Sequence, residues 1–355
     1  MSLLSQIKFT KPLAATAIAV GMMASAALPS GEAIAQDKQK LVLALPGVPP
    51  IFGSVYTYVA RDMGLYDKYG VDVELRPMNS GVGAARAVVS GNVDVAMAPT
   101  PPVTVMVSTA GVPLKVISGM EVNDWMLGSM DPAINSCEAV KGQAVGVDSP
   151  RGARWIQLAN MVRPCKLIPD KDVQTVNLST NVGAAMVSGQ LKLGVLHSDD
   201  IPVIERESGK KVTIVARVEE TSPGSHYAVI VTNDKVVAER RDALVRLAAA
   251  HIEAMNLLYD KSKWEEISKI AAPTGRSPED SIKALELFTN LNYWPKNTAG
   301  LDQKRIEKAI AIQTGVGKRT KGKAGINPAK TPVAYGDLTD NSIVQDALAL
   351  IAKTN

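Results

Sequence analysis

The chain has 355 residues, with 39 Lys and Arg against 35 Asp and Glu, 46% hydrophobic and 4% aromatic residues, and two cysteines. That balance excludes a disordered chain, a disulfide-dense scaffold and a basic nucleic-acid binder, and leaves a globular protein long enough for two domains. The formal net charge of +4 is too small to name a partner.

The N-terminus reads as an address. Lys8 and Lys11 precede a small, apolar run over 12–28, and Ala33-Ile34-Ala35 supplies an A-x-A signal, so residues 1–35 are expected to be a signal peptide cleaved after Ala35. The run is short for a membrane span, which makes a retained anchor the lesser alternative. The mature protein is then expected in the periplasm as a soluble chain.

From Lys40 onward short β-branched runs alternate with helical stretches, the pattern of an α/β protein. The first set predicts strands at 41–45, 71–76, 93–98 and 114–118, with helices at 52–63, 83–89 and 103–110. A second set predicts strands at 144–147, 173–178, 191–196 and 212–217, with helices at 153–162 and 182–187. Helices at 235–259, 263–271 and 278–291 dominate the last third, with Ser277 as an N-cap. Ala87-Val88-Val89-Ser90-Gly91-Asn92-Val93 recurs 98 positions later as Ala185-Met186-Val187-Ser188-Gly189-Gln190-Leu191. In each copy a helix ends on a Ser-Gly turn and a strand follows at once, so two related α/β lobes are expected.

Cys137 precedes the strand at 144–147 and Cys165 ends the helix at 153–162. In a strand–helix unit those two ends meet, and an oxidising compartment then favours a Cys137–Cys165 disulfide over two buried thiols.

Met63-Gly64-Leu65-Tyr66-Asp67-Lys68-Tyr69-Gly70-Val71-Asp72-Val73, with Ser90-Gly91-Asn92-Val93-Asp94-Val95-Ala96 after it, resembles the periplasmic solute-binding proteins of ABC importers. The narrower resemblance is to the nitrate, sulfonate, taurine and thiamine-pyrimidine binders. It implies a type II two-lobed fold, with residues 36–122 and 224–355 in one lobe and 123–223 in the other. It also implies a small solute carried by a monomer to an inner-membrane permease and its ATPase, and the helix N-termini with Arg151 point to an organic anion, carboxylate ahead of sulfonate. No enzyme activity, cofactor, metal or nucleic acid is expected. The alternatives are a pyrimidine-binding or pyrimidine-forming relative from the thiamine pathway, and a receptor feeding a sensor kinase. Gly64 and Gly70 carry the motif for backbone reasons, and Asp94 reads as a structural carboxylate rather than a catalyst.

Ligands of open α/β sheets sit beyond the carboxyl ends of the strands, where loops enter helix N-termini that favour anions. That rule selects the loops 49–52, 79–81, 100–102, 149–153 and 198–200, and within them Pro49, Phe52, Asn79, Ser80, Gly81, Thr100, Pro101, Ser149, Arg151, Gly152 and Asp199. In Asp148-Ser149-Pro150-Arg151-Gly152-Ala153-Arg154, Ser149 is the expected N-cap and Gly152 lets a ligand approach the backbone. Arg151 supplies a fork suited to an anion, while Arg154 is expected to be a surface cation. Asn123 and Trp125 fall where the chain should cross between lobes, and His226 where it should return. Trp125 either stacks on the ligand or packs the hinge, and His226 is either a ligand contact or a satisfied polar residue. Asp199 either caps the next helix or faces the ligand, and the second case would favour a substrate bearing an amine.

The Gly81-Val82-Gly83 and Gly317-to-Lys323 matches to nucleotide-binding loops fail, because Arg86 and Ala324 stand at required positions. His197, His226 and His251 show no metal-ligand spacing.

Overall fold

The computed structural model describes residues 38–120, 123–179, 181–224 and 226–355. The expected signal peptide and its cleavage point at Ala35 lie outside the described residues. The strands are β1 (Gln39–Pro46), β2 (Val71–Met78), β3 (Val95–Pro99), β4 (Leu114–Gly119), β5 (Met126–Ser129), β6 (Ala144–Val147), β7 (Gln174–Asn177), β8 (Leu193–Leu196), β9 (Thr213–Arg217) and β10 (Ala228–Asn233).

They form two five-stranded sheets, ordered β2-β1-β3-β10-β4 and β7-β6-β8-β5-β9. β1 pairs in parallel with β2 and β3, and β6 with β7 and β8. The fourth strand of each sheet runs antiparallel to its neighbours: β10 in the first, β5 in the second. β5 is the first strand the chain forms on entering the second sheet, and β10 the first on returning. The two crossings therefore lead into equivalent places, as the doubled sequence pattern requires. This is the two-sheet α/β fold expected from sequence.

The repeat is reproduced in detail. The helices Gly81–Val89 and Val182–Val187 each end in a serine whose Oγ donates to the carbonyl three residues back, Ser90 to Ala87 and Ser188 to Ala185, both at 3.1 Å. Gly91 and Gly189 follow at φ 74° and 77°, where a side chain would be strained. The strands that follow, β3 and β8, hold the same third position in their sheets. Asp94 is structural, as expected: its Oδ2 accepts from Val42 N at 2.8 Å and its Oδ1 from Arg240 at 3.0 Å, tying β1 to the helix Asp234–Leu257. Strand β3 starts at Val95 rather than at 93, because Asp94 turns its carboxylate to β1.

Cys137 and Cys165 are bonded, with Cα atoms 6.0 Å apart. Ser277 caps the helix Pro278–Asn290 by accepting from Asp280 N, as read from sequence. Among the described residues no helix is long and apolar enough to cross a membrane.

His251 lies in the core beneath the first sheet, its Nε2 3.0 Å from Tyr66 Oη and its ring edge-on to Tyr56. Burial pushes its pKa down to about 3. In the unfolded chain this imidazole takes a proton near the ordinary value, while in the fold it stays neutral. Its contribution is present above that value and is lost as pH falls toward the folded pKa. Urea unfolding is expected to show about 2–3 kcal/mol lost to this group between about pH 7 and pH 4.5. The His251→Gln variant should have a correspondingly flatter pH dependence.

Candidate functional site

The C-terminal edges of both sheets face one cleft. Pro46 and Met78 end β1 and β2, Val147 and Leu196 end β6 and β8, and the loops that follow supply the walls. A cavity of about 210 Å³ is lined from the first sheet's side by residues 49–53 and from the second by His197, Asp199, Asp200 and Ile204. Thr274 to Arg276, from the helical last third, close it. A smaller pocket of about 30 Å³ adjoins it, lined by Asn79, Ser80, Gly81, Trp125, Asp148 and Tyr227 among others, and Arg154 lines both. Ser179 Oγ donates to Asn79 O at 2.7 Å, so loops after β2 and β7 touch across the cleft.

His197, just after β8, is held on nearly every side. Its Nδ1 lies 2.9 and 3.1 Å from the two carboxylate oxygens of the buried Asp124, which also accepts from Ser198 N and Oγ. Its ring stacks on Trp125 at 3.6 Å and meets Tyr227 edge-on at 5.3 Å. Its backbone N–H donates to Asp200 Oδ2 at 3.0 Å. The remaining polar atom, Nε2, is buried without a hydrogen-bond partner on a residue that lines the cavity.

Two guanidiniums and two carboxylates face it. Arg276 pairs with Asp199 and, at 3.0 Å, with Asp200, while its Nε is buried without a partner. Arg154 donates to Val195 O, lies 3.8 Å from Asp200 and sits over the Trp125 ring at 4.8 Å. Burial raises the Asp199 carboxyl, partly offset by Arg276. Burial works the same way on Asp200, but Arg276 and Arg154 outweigh it and hold this carboxyl below its ordinary value.

Several sequence-derived expectations are corrected here. Arg154 is not a surface cation: it is 4% exposed and central to the cleft, while Arg151 is exposed and outside the cavity lining. The reason is the turn: Arg151 takes a left-handed conformation, φ 56°, which swings its side chain out before the helix Ala153–Met161 begins. Ser149 does not cap that helix. Asp148 accepts from Ala153 N and Arg154 N, each at 3.0 Å, and burial raises its carboxyl. A Cβ on Gly152 would meet Ser149 Oγ and, at 2.5 Å, the Asp148 carboxylate, so the groups this glycine admits belong to the chain's own turn.

Asp199 does not cap the helix Asp200–Ser208 through its side chain, because Arg276 takes the carboxylate. His226 is fully buried and its ring is satisfied by the backbone, Nδ1 by Met120 O at 2.7 Å and Nε2 by Asp302 N at 3.2 Å. Thr100 Oγ1 donates to Tyr227 O at 3.1 Å, and Thr100, Pro101 and Asn123 line neither pocket. Pro49, Phe52, Asn79, Ser80, Gly81, Trp125 and Asp199 are brought together at the cleft.

Sequence reasoning passed over Arg276, Asp124, Asp148 and Tyr227. For Arg276 a signal existed: Thr274-Gly275-Arg276 directly precedes the N-cap Ser277, the loop-to-helix context that selected the other cleft loops. Thermal shift with whichever solute binds should therefore be unchanged by Arg151→Ala. In the Arg154→Ala protein it should be lost.

Asp124, His197 and Asp199 offer ligand atoms within 4.8 Å of one another, the one such group among the described residues that could hold a metal ion. Arg276 pairs with Asp199, and Asp124 takes His197 Nδ1, so hydrogen bonds and an ion pair join the cluster to its neighbours.

Two α/β sheets whose strand ends share a cleft define a periplasmic-binding-protein fold. The family described as NMT1/THI5 like matches residues 52–262, and the chain belongs to it. No curated protein sequence matches the chain. Among solved structures it is similar to a protein from Bordetella bronchiseptica RB50, with 16% identity, a TM-score of 0.74, and 89% of this chain and 99% of that one covered. The alkanesulfonate-binding protein SsuA from Xanthomonas axonopodis pv. citri, bound to MOPS, aligns at 13% identity and TM-score 0.67, covering 86% and 99%. The periplasmic nitrate-binding protein NrtA from Synechocystis PCC 6803 aligns at 16% and 0.67, covering 90% and 91%.

Proposed function

We propose that this chain is the periplasmic solute-binding component of an ABC importer, closing as a hinge around a small organic acid. Residues 36–122 with 224–355 would form one lobe and 123–223 the other, each contributing wall to the cavity. The observation that carries the reading is a pair of buried, unpartnered atoms, Arg276 Nε and His197 Nε2, on two residues that line the cavity. A buried polar atom without a partner costs free energy that a bound ligand recovers. Arg276 Nε can donate to a carboxylate or sulfonate oxygen, and the relatives that bind nitrate and alkanesulfonate support an anion.

Ligand contact with both lobes stabilises the closed form, which a permease and its ATPase then read. The network around His197 fixes the ring and leaves one nitrogen for recognition, which supports a binding role. The expected signal peptide and the Cys137–Cys165 bridge both suit the periplasm. A thermal-shift panel of carboxylates, sulfonates and amino acids tests the reading. A solute at about 100 times its dissociation constant adds roughly 2.7 kcal/mol. Turnover of the binding solute into a product would count against it.

A further inference from the structure

Resting on that solute-binding reading, we infer that the cavity contains a cation subsite, formed by Asp199, Asp200 and His197 Nε2, which takes a protonated amine on the ligand. The acid that binds is then also a base.

The donor and acceptor inventory leads there. The guanidinium N–H groups of Arg154 that have partners serve Val195 O and Asp200, and those of Arg276 serve Asp199 and Asp200. The acceptors on the cavity lining are the carboxylates of Asp199 and Asp200, with Glu207 at the exposed rim. His197 lies beside them. Its Nδ1 faces the Asp124 carboxylate, and its Nε2, the ring's other nitrogen, is buried and unpartnered on a residue that lines the cavity.

Charge gives the same answer independently. Asp124, Asp148, Asp199 and Asp200 are all at or near the cleft, and Arg154 and Arg276 are the two cations set against them. Neighbouring carboxylates add to the burial that raises the Asp199 carboxyl, Asp200 first and Asp124 after it. A cluster short of positive charge in a low-dielectric cleft gains from an ammonium group, which brings three donors and one charge. Trp125 and Tyr227, packed on His197, line the adjoining pocket and hold the imidazole in place. The helix N-terminus that would otherwise attract the ligand's anion is already capped by Asp148, which leaves the anionic end to Arg276 Nε.

The test uses the full mature protein and simple probes: butylammonium chloride, sodium butyrate and sodium chloride at matched ionic strength, read by thermal shift. Butylammonium is expected to raise the midpoint by about 2–4 °C beyond sodium chloride when present at about ten times its dissociation constant. In Asp199→Asn that excess should disappear. An ammonium shift no larger than that of sodium chloride overturns the inference, as does a shift that survives in Asp199→Asn. If Asp199→Asn does not fold, the wild-type order decides: butylammonium above butyrate supports the subsite, and butyrate equal or above overturns it. Stabilisation by butyrate alone would remove the cation subsite and leave the solute-binding role standing.

Discussion

Replacing Arg276 with alanine is expected to cost about 3–5 kcal/mol of folding stability and to abolish ligand-induced stabilisation. The guanidinium is paired with Asp199, whose side chain is 2% exposed, and with Asp200, so its removal leaves buried negative charge without a counter-ion. Breaking a buried pair from one side costs more than the pair contributes, because the desolvated partner remains. The Arg276→Ala/Asp199→Asn double variant should recover a large part of the loss in urea unfolding, since it removes one of the stranded charges as well. Arg276→Lys should fall between, because it keeps the charge beside the two carboxylates but not the guanidinium's shape and donor set. If Arg276→Ala unfolded at the wild-type midpoint, the pairing described at the cavity wall would be wrong.

The second large effect lies far from the cleft. Cys137 and Cys165 close a loop with a sequence separation of 28, tying the approach to β6 to the end of the helix Ala153–Met161. Loop-closure entropy of that length corresponds to roughly 3–4 kcal/mol. The Cys137→Ser/Cys165→Ser double variant is expected to lose about that much, and reduction of the wild-type protein should match it. The loss should appear in stability rather than in the identity of the ligand, because neither cysteine lines the cavity. Equal stability of oxidised and reduced protein would contradict the prediction.

Both predictions rest on features of different legibility. The cysteine pairing was readable because a strand start and a helix end meet wherever a helix runs back along its strand. The doubled Ser-Gly turns were readable for a similar reason: each is a local event, a helix C-terminus followed at once by a strand. Strand β6 and the helix Val182–Val187 match the sequence reading residue for residue. The cleft was legible as a set of loops, since strand ends and helix starts are local too.

Which side chain of a loop turns inward was not legible. Arg151 and Arg154 are three residues apart, and the left-handed turn at Arg151 decides that the first faces solvent and the second the cleft. The sequence favours glycine for such a turn, so an arginine there gives no warning. Asp148 was overlooked as a cap because Ser149 and Pro150 form a stronger local signal, whereas the carboxylate reaches five residues forward to Ala153. Arg276 depends on tertiary structure altogether. It stands 77 residues after Asp199 and meets it only because the helical last third folds over the cavity. The anion expected at the turn before Ala153 is therefore supplied by the protein, and the free donor lies on Arg276.

The central claim is that this cavity binds a solute between two halves that close on it. Small-angle X-ray scattering of the mature protein, with and without the solute that scores highest in the thermal-shift panel, tests it most directly. The account predicts a smaller radius of gyration on addition of solute in the wild type, and none in Arg154→Ala, with the solute recovered chemically unchanged. A bound solute that leaves the radius of gyration unaltered, or that is recovered as a different compound, would contradict it.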